Sequence, residues 1–163
     1  MKPKYTSFAA AVLGALILSG ATLAVASAKT PLPKPAADQR AHLVLLDAER
    51  HLVLEEMRNF LAVLQTITDA LPRDDMKEVA RAARTMGSGA ANEIPPQTVA
   101  KLPNEFKMLA GGVHTAFDLI ALDAETLGDS RHTVSQVSEM LQKCNACHGI
   151  YQIKVTKPVR AKK

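Results

Sequence analysis

The sequence has little that could stack on the bases of a nucleic acid. It contains no tryptophan, and aromatic residues make up only 4% of its 163 residues. No stretch interleaves aromatic with basic side chains, although proteins that bind single-stranded nucleic acids use that combination for stacking and for backbone contacts. We therefore expect no nucleic-acid partner.

Cysteine is equally scarce, because Cys144 and Cys147 are the only two in the chain. A structural zinc site usually needs four ligands, and no second cluster of Cys and His accompanies this pair. A disulfide across two intervening residues would close too small a loop to stabilise the fold much. A thioredoxin-like redox pair needs a preceding strand, and the sequence shows no convincing strand alternation.

The two cysteines belong to the stretch KCNACHGIY, residues 143–151. Two thiols separated by two residues, with a histidine directly after the second, form the attachment signature of c-type haem. This spacing lets both thiols reach the vinyl groups on one porphyrin edge while the adjacent imidazole turns under the iron. We predict one covalent haem c, with thioethers at Cys144 and Cys147 and with His148 as the proximal iron ligand.

Residues 1–28 are predicted to be a secretory signal peptide. Lys2 and Lys4 precede an apolar stretch at 8–25, and the small residues at 26–28 fit a cleavage site. The alternative is an uncleaved membrane anchor, since the apolar stretch is nearly long enough to span a bilayer. We expect cleavage and export to the periplasm, where a covalently held cofactor cannot be lost by dilution.

The remaining chain divides into three parts. Residues 29–37 contain three prolines and are predicted to be an extended lead-in. Residues 38–153 are predicted to form one domain. Residues 154–163 carry five lysines and arginines, which is typical of a solvated, frayed terminus, and a docking patch for an acidic partner or membrane surface is the alternative.

Four stretches of the domain have the apolar periodicity of helices. The first is predicted over 38–71, with an inward stripe that contains Met57 and also one charged residue, Arg50. The second is predicted to begin at Asp74, the third to run from Asn104 to Leu127, and the fourth to begin at Thr133. We expect the inward side chains to be Met76, Val79, Ala83 and Met86 on the second helix, Phe106, Val113, Phe117 and Leu127 on the third, and Val134, Val137 and Leu141 on the fourth. Four amphipathic helices in one small domain predict an all-α antiparallel bundle.

An exported four-helix domain with a single C-x-x-C-H on its last helix resembles the class II cytochromes c, which include cytochrome c′ and its low-spin relatives. The resemblance covers residues 38–153, and the position of the motif near the C-terminus is its most specific feature. The stretch LPNEFKMLAGGVHTAFD, residues 102–118, is also similar to the third helix of some members. The resemblance implies an up-down-up-down four-helix bundle with haem c on the last helix, in a group whose members can pair as homodimers.

The function depends on which side chain, if any, binds the iron on its distal side, opposite His148. At 1.5 Å per residue along the helices, Met57 lies near the height of His148, and a thioether is an established haem ligand. Class II relatives are similar in having Met or Leu at about this place. Met57 could instead only fill core space and leave an open site, and His114 is a third candidate for the distal ligand. Arg50 is expected either to pair with a haem propionate or to extend its charge into water.

A His148/Met57 iron predicts a one-electron carrier that works with periplasmic redox partner proteins. The alternative is a five-coordinate protein that binds nitric oxide or carbon monoxide, as the resemblance to cytochrome c′ implies. No arrangement of a general acid and a general base is evident, so we expect no enzyme activity.

Overall fold

The computed structural model describes residues 36–156, which are mostly helical and include a small sheet. In chain order the elements are strand β1 (Ala41–Leu45), helices α1 (Asp47–Ala70), α2 (Met76–Arg84), α3 (Pro96–Val99), α4 (Asn104–Thr126) and α5 (Ser130–Ile150), and strand β2 (Tyr151–Val155); short 3-10 turns lie at Leu71–Arg73 and Ala90–Glu93. This content is compatible with a helical bundle. Between residues 36 and 156, no helix combines the length and the apolar character that crossing a bilayer would require. The predicted signal peptide, residues 29–35 of the lead-in and residues 157–163 of the basic tail lie outside the described residues.

The expectation of an all-α fold is wrong at the two ends of the domain. Strands β1 and β2 pair in parallel, with Ala41 opposite Tyr151 and Leu45 opposite Val155. Residues 41–45 were expected in the first helix, but Leu43 and Leu45 are buried while Val44 between them is exposed, which is the alternation of a strand. Residues 154 and 155, expected in the tail, belong to β2. We refer to this strand pair as the clasp.

Helix α1 therefore begins later than predicted. Leu46 is extended (φ −71°, ψ 160°), and its backbone N–H donates to Glu49 Oε2 at 2.9 Å, which satisfies one of the free donors at the helix start. The same carboxylate pairs with Lys101 Nζ at 2.5 Å. At its other end α1 stops at Ala70, one residue before the predicted end, and the 3-10 turn that contains Pro72 follows.

Helix α2 is capped by Asp75 instead of Asp74. The Asp75 side chain accepts the backbone N–H of Glu78 at 3.1 Å, whereas Asp74 takes a left-handed conformation (φ 51°) in the turn before it. The residues predicted to face inward, namely Met76, Val79, Ala83 and Met86, are all buried. Three of them lie on α2 and Met86 follows its end at Arg84, so the inward face of α2 was predicted correctly and its cap was one residue off.

Helix α4 begins at Asn104 as predicted, and most of its expected inward residues are buried. Leu127 is an exception because it is exposed at the end of the helix. Gly128 follows in the left-handed conformation (φ 64°), and its N–H donates to Asp123 O at 3.2 Å. A glycine adopts this conformation without strain, which explains why the helix ends there.

Helix α5 starts at Ser130, three residues before the predicted cap at Thr133. The Asp129 side chain accepts the backbone N–H groups of Arg131 and His132 at 2.9 and 3.1 Å, so it caps the helix instead. Thr133 is fully buried, and its hydroxyl donates to Asp129 O at 3.2 Å. The inward face of α5 contains Thr133, Val137 and Met140, whereas Val134 and Leu141, which were predicted to face inward, are exposed.

The described residues form two apolar clusters. The main core lies among the helices, where α2 packs against α1 and α4, and α4 packs against α5; it includes Phe60, Ile67, Val79, Phe117, Ile120 and Met140. The second cluster joins the clasp to the adjoining helices and contains Leu43, Leu45, Val53, Leu102, Phe106 and Tyr151. Cys144 packs against the main core and Cys147 against the second cluster, so the C-x-x-C-H motif lies where the two clusters meet.

Candidate functional site

A cavity of about 410 Å³ lies between α1, α4, α5 and the clasp. Its volume falls in the range of roughly 300–1,000 Å³ that is usual for small-molecule and cofactor sites. Most of its walls are apolar. The lining residues are Arg40, Leu43, Arg50, Val53, Leu54, Met57, Phe60, Phe106, Leu109, Ala110, Val113, Cys144, Cys147, His148, Tyr151, Gln152 and Ile153.

Helix α5 contributes Cys144, Cys147 and His148 to this cavity. Residues at positions i, i+3 and i+4 share one face of a helix, which explains why the motif presents two thiols and an imidazole together. Both cysteines are free and half-buried, and burial raises the pKa of each thiol. The thiols are therefore neutral near pH 7, and His148 is exposed at the edge of the cavity.

Helix α1 contributes Met57 to the same cavity. Its side chain is partly buried and packs against the main core. Leu54 and Phe60 lie in the same wall, so apolar groups surround the thioether. The structure thus brings Met57 and the C-x-x-C-H motif together.

Arg50 also lines the cavity, as a half-buried residue of α1. Among residues 36–156 its guanidinium makes no hydrogen bond and no ion pair. Arg40 lines the cavity as well, but its donors bond to Asp38 and to backbone carbonyls. Arg50 is therefore the arginine of the cavity whose charge is available for a bound anionic group.

His114 lies elsewhere. It is buried and lines a second cavity of about 180 Å³ between α1, α4 and the segment 91–102. Its Nδ1 is 2.9 Å from Met86 O and its Nε2 is 3.3 Å from Glu56 Oε1. Burial alone would lower the pKa of His114, but the bonds to Glu56 and Met86 outweigh it and raise that pKa. The structure does not bring His114 into the larger cavity.

Several lining residues were not predicted from the sequence. Leu54 lies one helical turn after Arg50, so the helical period alone could have identified it. Tyr151 was expected on the inward stripe of the fourth helix but lines the cavity from β2, and Ile153 of the same strand lines it too. Arg40 has no local signal, because its carbonyl partners are more than one hundred residues away in sequence.

In the part of the chain that the structure describes, no three His, Cys, Asp or Glu side chains converge as a metal-binding group. Comparison with protein-family models, with curated proteins and with solved structures found no match.

Proposed function

We propose that the protein is an exported c-type cytochrome that carries one covalent haem and transfers single electrons. One observation carries this proposal: two free thiols, an imidazole and a thioether line the same mostly apolar cavity. The C-x-x-C-H motif provides the first three of these groups in the spacing typical of haem attachment.

The residues of the cavity fit a haem in their chemistry. The apolar walls suit a porphyrin ring, and the two thiols on one helical face suit two thioether bonds to one ring edge. The imidazole of His148 and the thioether of Met57 come from two different helices. Such a pair suits an iron whose remaining ligands are the ring nitrogens of a porphyrin.

Each ligand has a separate role in this proposal. His148 would bind the iron from α5, and Met57 would bind it from α1, where the main core supports the side chain. When bound, the haem supplies a one-electron couple, and methionine ligation raises its reduction potential. With His148 and Met57 both holding the iron, electron transfer would be favoured over chemistry at the iron.

Arg50 is proposed to pair with a haem propionate. Its guanidinium has no partner among residues 36–156, and a planar fork of donors suits a carboxylate. A half-buried arginine can hold such a carboxylate at the boundary between the apolar cavity and water. His148 also lines the cavity and is exposed, so a redox partner protein could approach the cavity where His148 reaches water.

The finer fold is part of the proposal. Four of the helices, α1, α2, α4 and α5, follow the chain order of the four predicted ones. We propose that they form the up-down-up-down bundle of the class II cytochromes c, with haem c on α5. The signal peptide would direct the protein to the periplasm, where it could pair as a homodimer.

A second candidate function is the binding of nitric oxide or carbon monoxide. It is favoured by the apolar side chains of Leu54, Phe60 and Val113 in the same cavity as Met57. If the Met57 sulfur packs against them without binding iron, a small neutral gas could occupy the distal side.

Absorption spectra of the oxidised and reduced holoprotein test both candidates. The electron carrier should be low-spin, with a weak sulfur-to-iron band in the far red, and its reduced form should bind carbon monoxide slowly. A high-spin spectrum with rapid carbon monoxide binding would support the gas-binding function instead. A purified protein without any haem spectrum would contradict both.

A further inference from the structure

Arg40 links the segment before β1 to the end of α5. Its Nη1 donates to the backbone carbonyls of His148 at 3.1 Å and Tyr151 at 3.4 Å. Its Nε and Nη2 donate to the Asp38 carboxylate, at 3.1 and 2.6 Å. In return, Gln152 Nε2 donates to Arg40 O at 2.9 Å. These side chains form a connected set of bonds, which we call the latch.

The latch acts on the turn that carries the haem motif. The last carbonyls of a helix have no partner within the helix and form the negative end of its dipole. Helix α5 ends at Ile150, so the His148 carbonyl belongs to its last turn. A guanidinium at this point donates hydrogen bonds to these carbonyls, and its positive charge interacts favourably with the negative end of the helix dipole. Arg40 therefore restrains the backbone of His148 itself.

The clasp needs support of this kind. An isolated pair of strands is marginally stable in water, and this one has five residues in each strand. Leu43 of β1 and Ile153 of β2 both line the larger cavity, so the clasp is one of its walls. The latch thus fixes the clasp, which is one wall of the cavity, relative to the last turn of α5.

We propose that Arg40 is a positioning residue for His148. By fixing the last turn of α5 against the clasp, it sets the direction in which the imidazole enters the cavity. This inference rests on the proposed function, in which His148 binds the iron. It gives the two cavity arginines different roles, because Arg40 acts on the protein backbone and Arg50 on the bound group.

The test compares the holoprotein with its Arg40→Gln and Arg40→Lys variants. The matched control is Arg73→Gln, which removes an exposed arginine that pairs with Asp69 away from the cavity. Loss of charged hydrogen bonds to the carbonyls should speed amide hydrogen exchange at residues 147–153 about tenfold in Arg40→Gln. The electron paramagnetic resonance g-values and the reduction potential of the iron should also change, because they report how the axial imidazole is held. Arg40→Lys keeps the charge and should restore part of each effect.

The possible outcomes separate the two proposals. Faster exchange with altered g-values and an altered potential in Arg40→Gln, with smaller changes in Arg40→Lys and none in Arg73→Gln, supports the positioning role. Faster exchange with an unchanged iron spectrum and potential overturns it, because Arg40 then only stabilises the clasp. Unchanged exchange with haem present overturns it as well. If the wild-type protein matures without haem, the proposed function itself is contradicted, and this conclusion does not depend on the exchange rates.

Discussion

Met57 and His148 lie on two different helices, α1 and α5, and line the same cavity. Neither helix alone could present both groups, because most of the domain separates them in sequence. The thioether and the imidazole come to line one cavity only because α1, α4 and α5 pack around it. The axial ligation proposed for the iron depends on this pairing.

Replacing Met57 with alanine should convert the iron from low-spin to high-spin. Loss of the thioether should abolish the far-red sulfur band, lower the reduction potential and speed carbon monoxide binding to the reduced protein. Absorption spectra and flow kinetics measure these changes. Met108→Ala is a suitable control, because Met108 is 69% exposed on α4 and does not line the cavity. Identical spectra for Met57→Ala and the wild type would show that Met57 only packs.

Replacing Arg50 with leucine should lower the reduction potential. A positive charge near the haem favours the reduced state, and its removal also leaves a propionate charge uncompensated. Arg58→Leu, at an exposed position of the same helix, should leave the potential unchanged. Equal potentials in Arg50→Leu and the wild type would exclude the propionate contact.

The pair formed by Glu49 and Lys101 should make stability depend on pH. The hydrogen bond from Lys101, and next the one from the Leu46 N–H, lower the pKa of the Glu49 carboxyl in the folded state. A carboxyl whose folded pKa is below its unfolded value, about 4.3, stabilises the fold above that pH and loses this effect as the pH falls through the folded pKa.

Glu49→Gln should therefore be less stable than the wild type at pH 7, and the difference should shrink below about pH 4. Urea unfolding at a series of pH values measures it. Glu55→Gln, at an exposed position of α1, serves as the control. A difference that stays constant from pH 7 to pH 3 would mean that the charge of Glu49 contributes nothing.

Gly87 and Gly89 should respond in opposite ways to alanine. A Cβ at Gly87 would overlap Asp118 Oδ1, and the same carboxylate accepts the Ser88 N–H at 2.9 Å and its hydroxyl at 2.6 Å. Gly87→Ala should therefore cost about 1–3 kcal/mol of unfolding free energy. Gly89 has open space around its Cβ position and helical dihedrals (φ −60°, ψ −40°), so Gly89→Ala should be neutral or slightly stabilising. Equal destabilisation by both changes would contradict this account of the turn.

The features predicted best from the sequence are those that depend only on the helical period of apolar residues. The inward faces of α2 and α4 follow from regular apolar spacing, and so does the position of Met57 on α1. The clasp was missed because five residues are too few to separate a period of two from a helical one. Leu43 fits the apolar spacing of the helix predicted over 38–71 and the alternation of β1 equally well.

The rest of the site depends on tertiary packing. Met140 and Leu141 are adjacent apolar residues, and only the packing of α5 on the core decides that Met140 is the buried one. The contact between Arg40 and His148 O joins the two ends of the domain, so no local pattern could indicate it. The position of His114 is likewise set by its bonds to Met86 O and Glu56.

The most direct test is the mass of the peptide that contains Cys144 and Cys147. The protein should be purified after export from a host that can attach c-type haem, and then digested under denaturing conditions. We predict that this peptide carries the additional mass of one haem and that neither thiol reacts with an alkylating reagent. A peptide of unmodified mass, with both thiols free or joined as a disulfide, would contradict the proposed cytochrome.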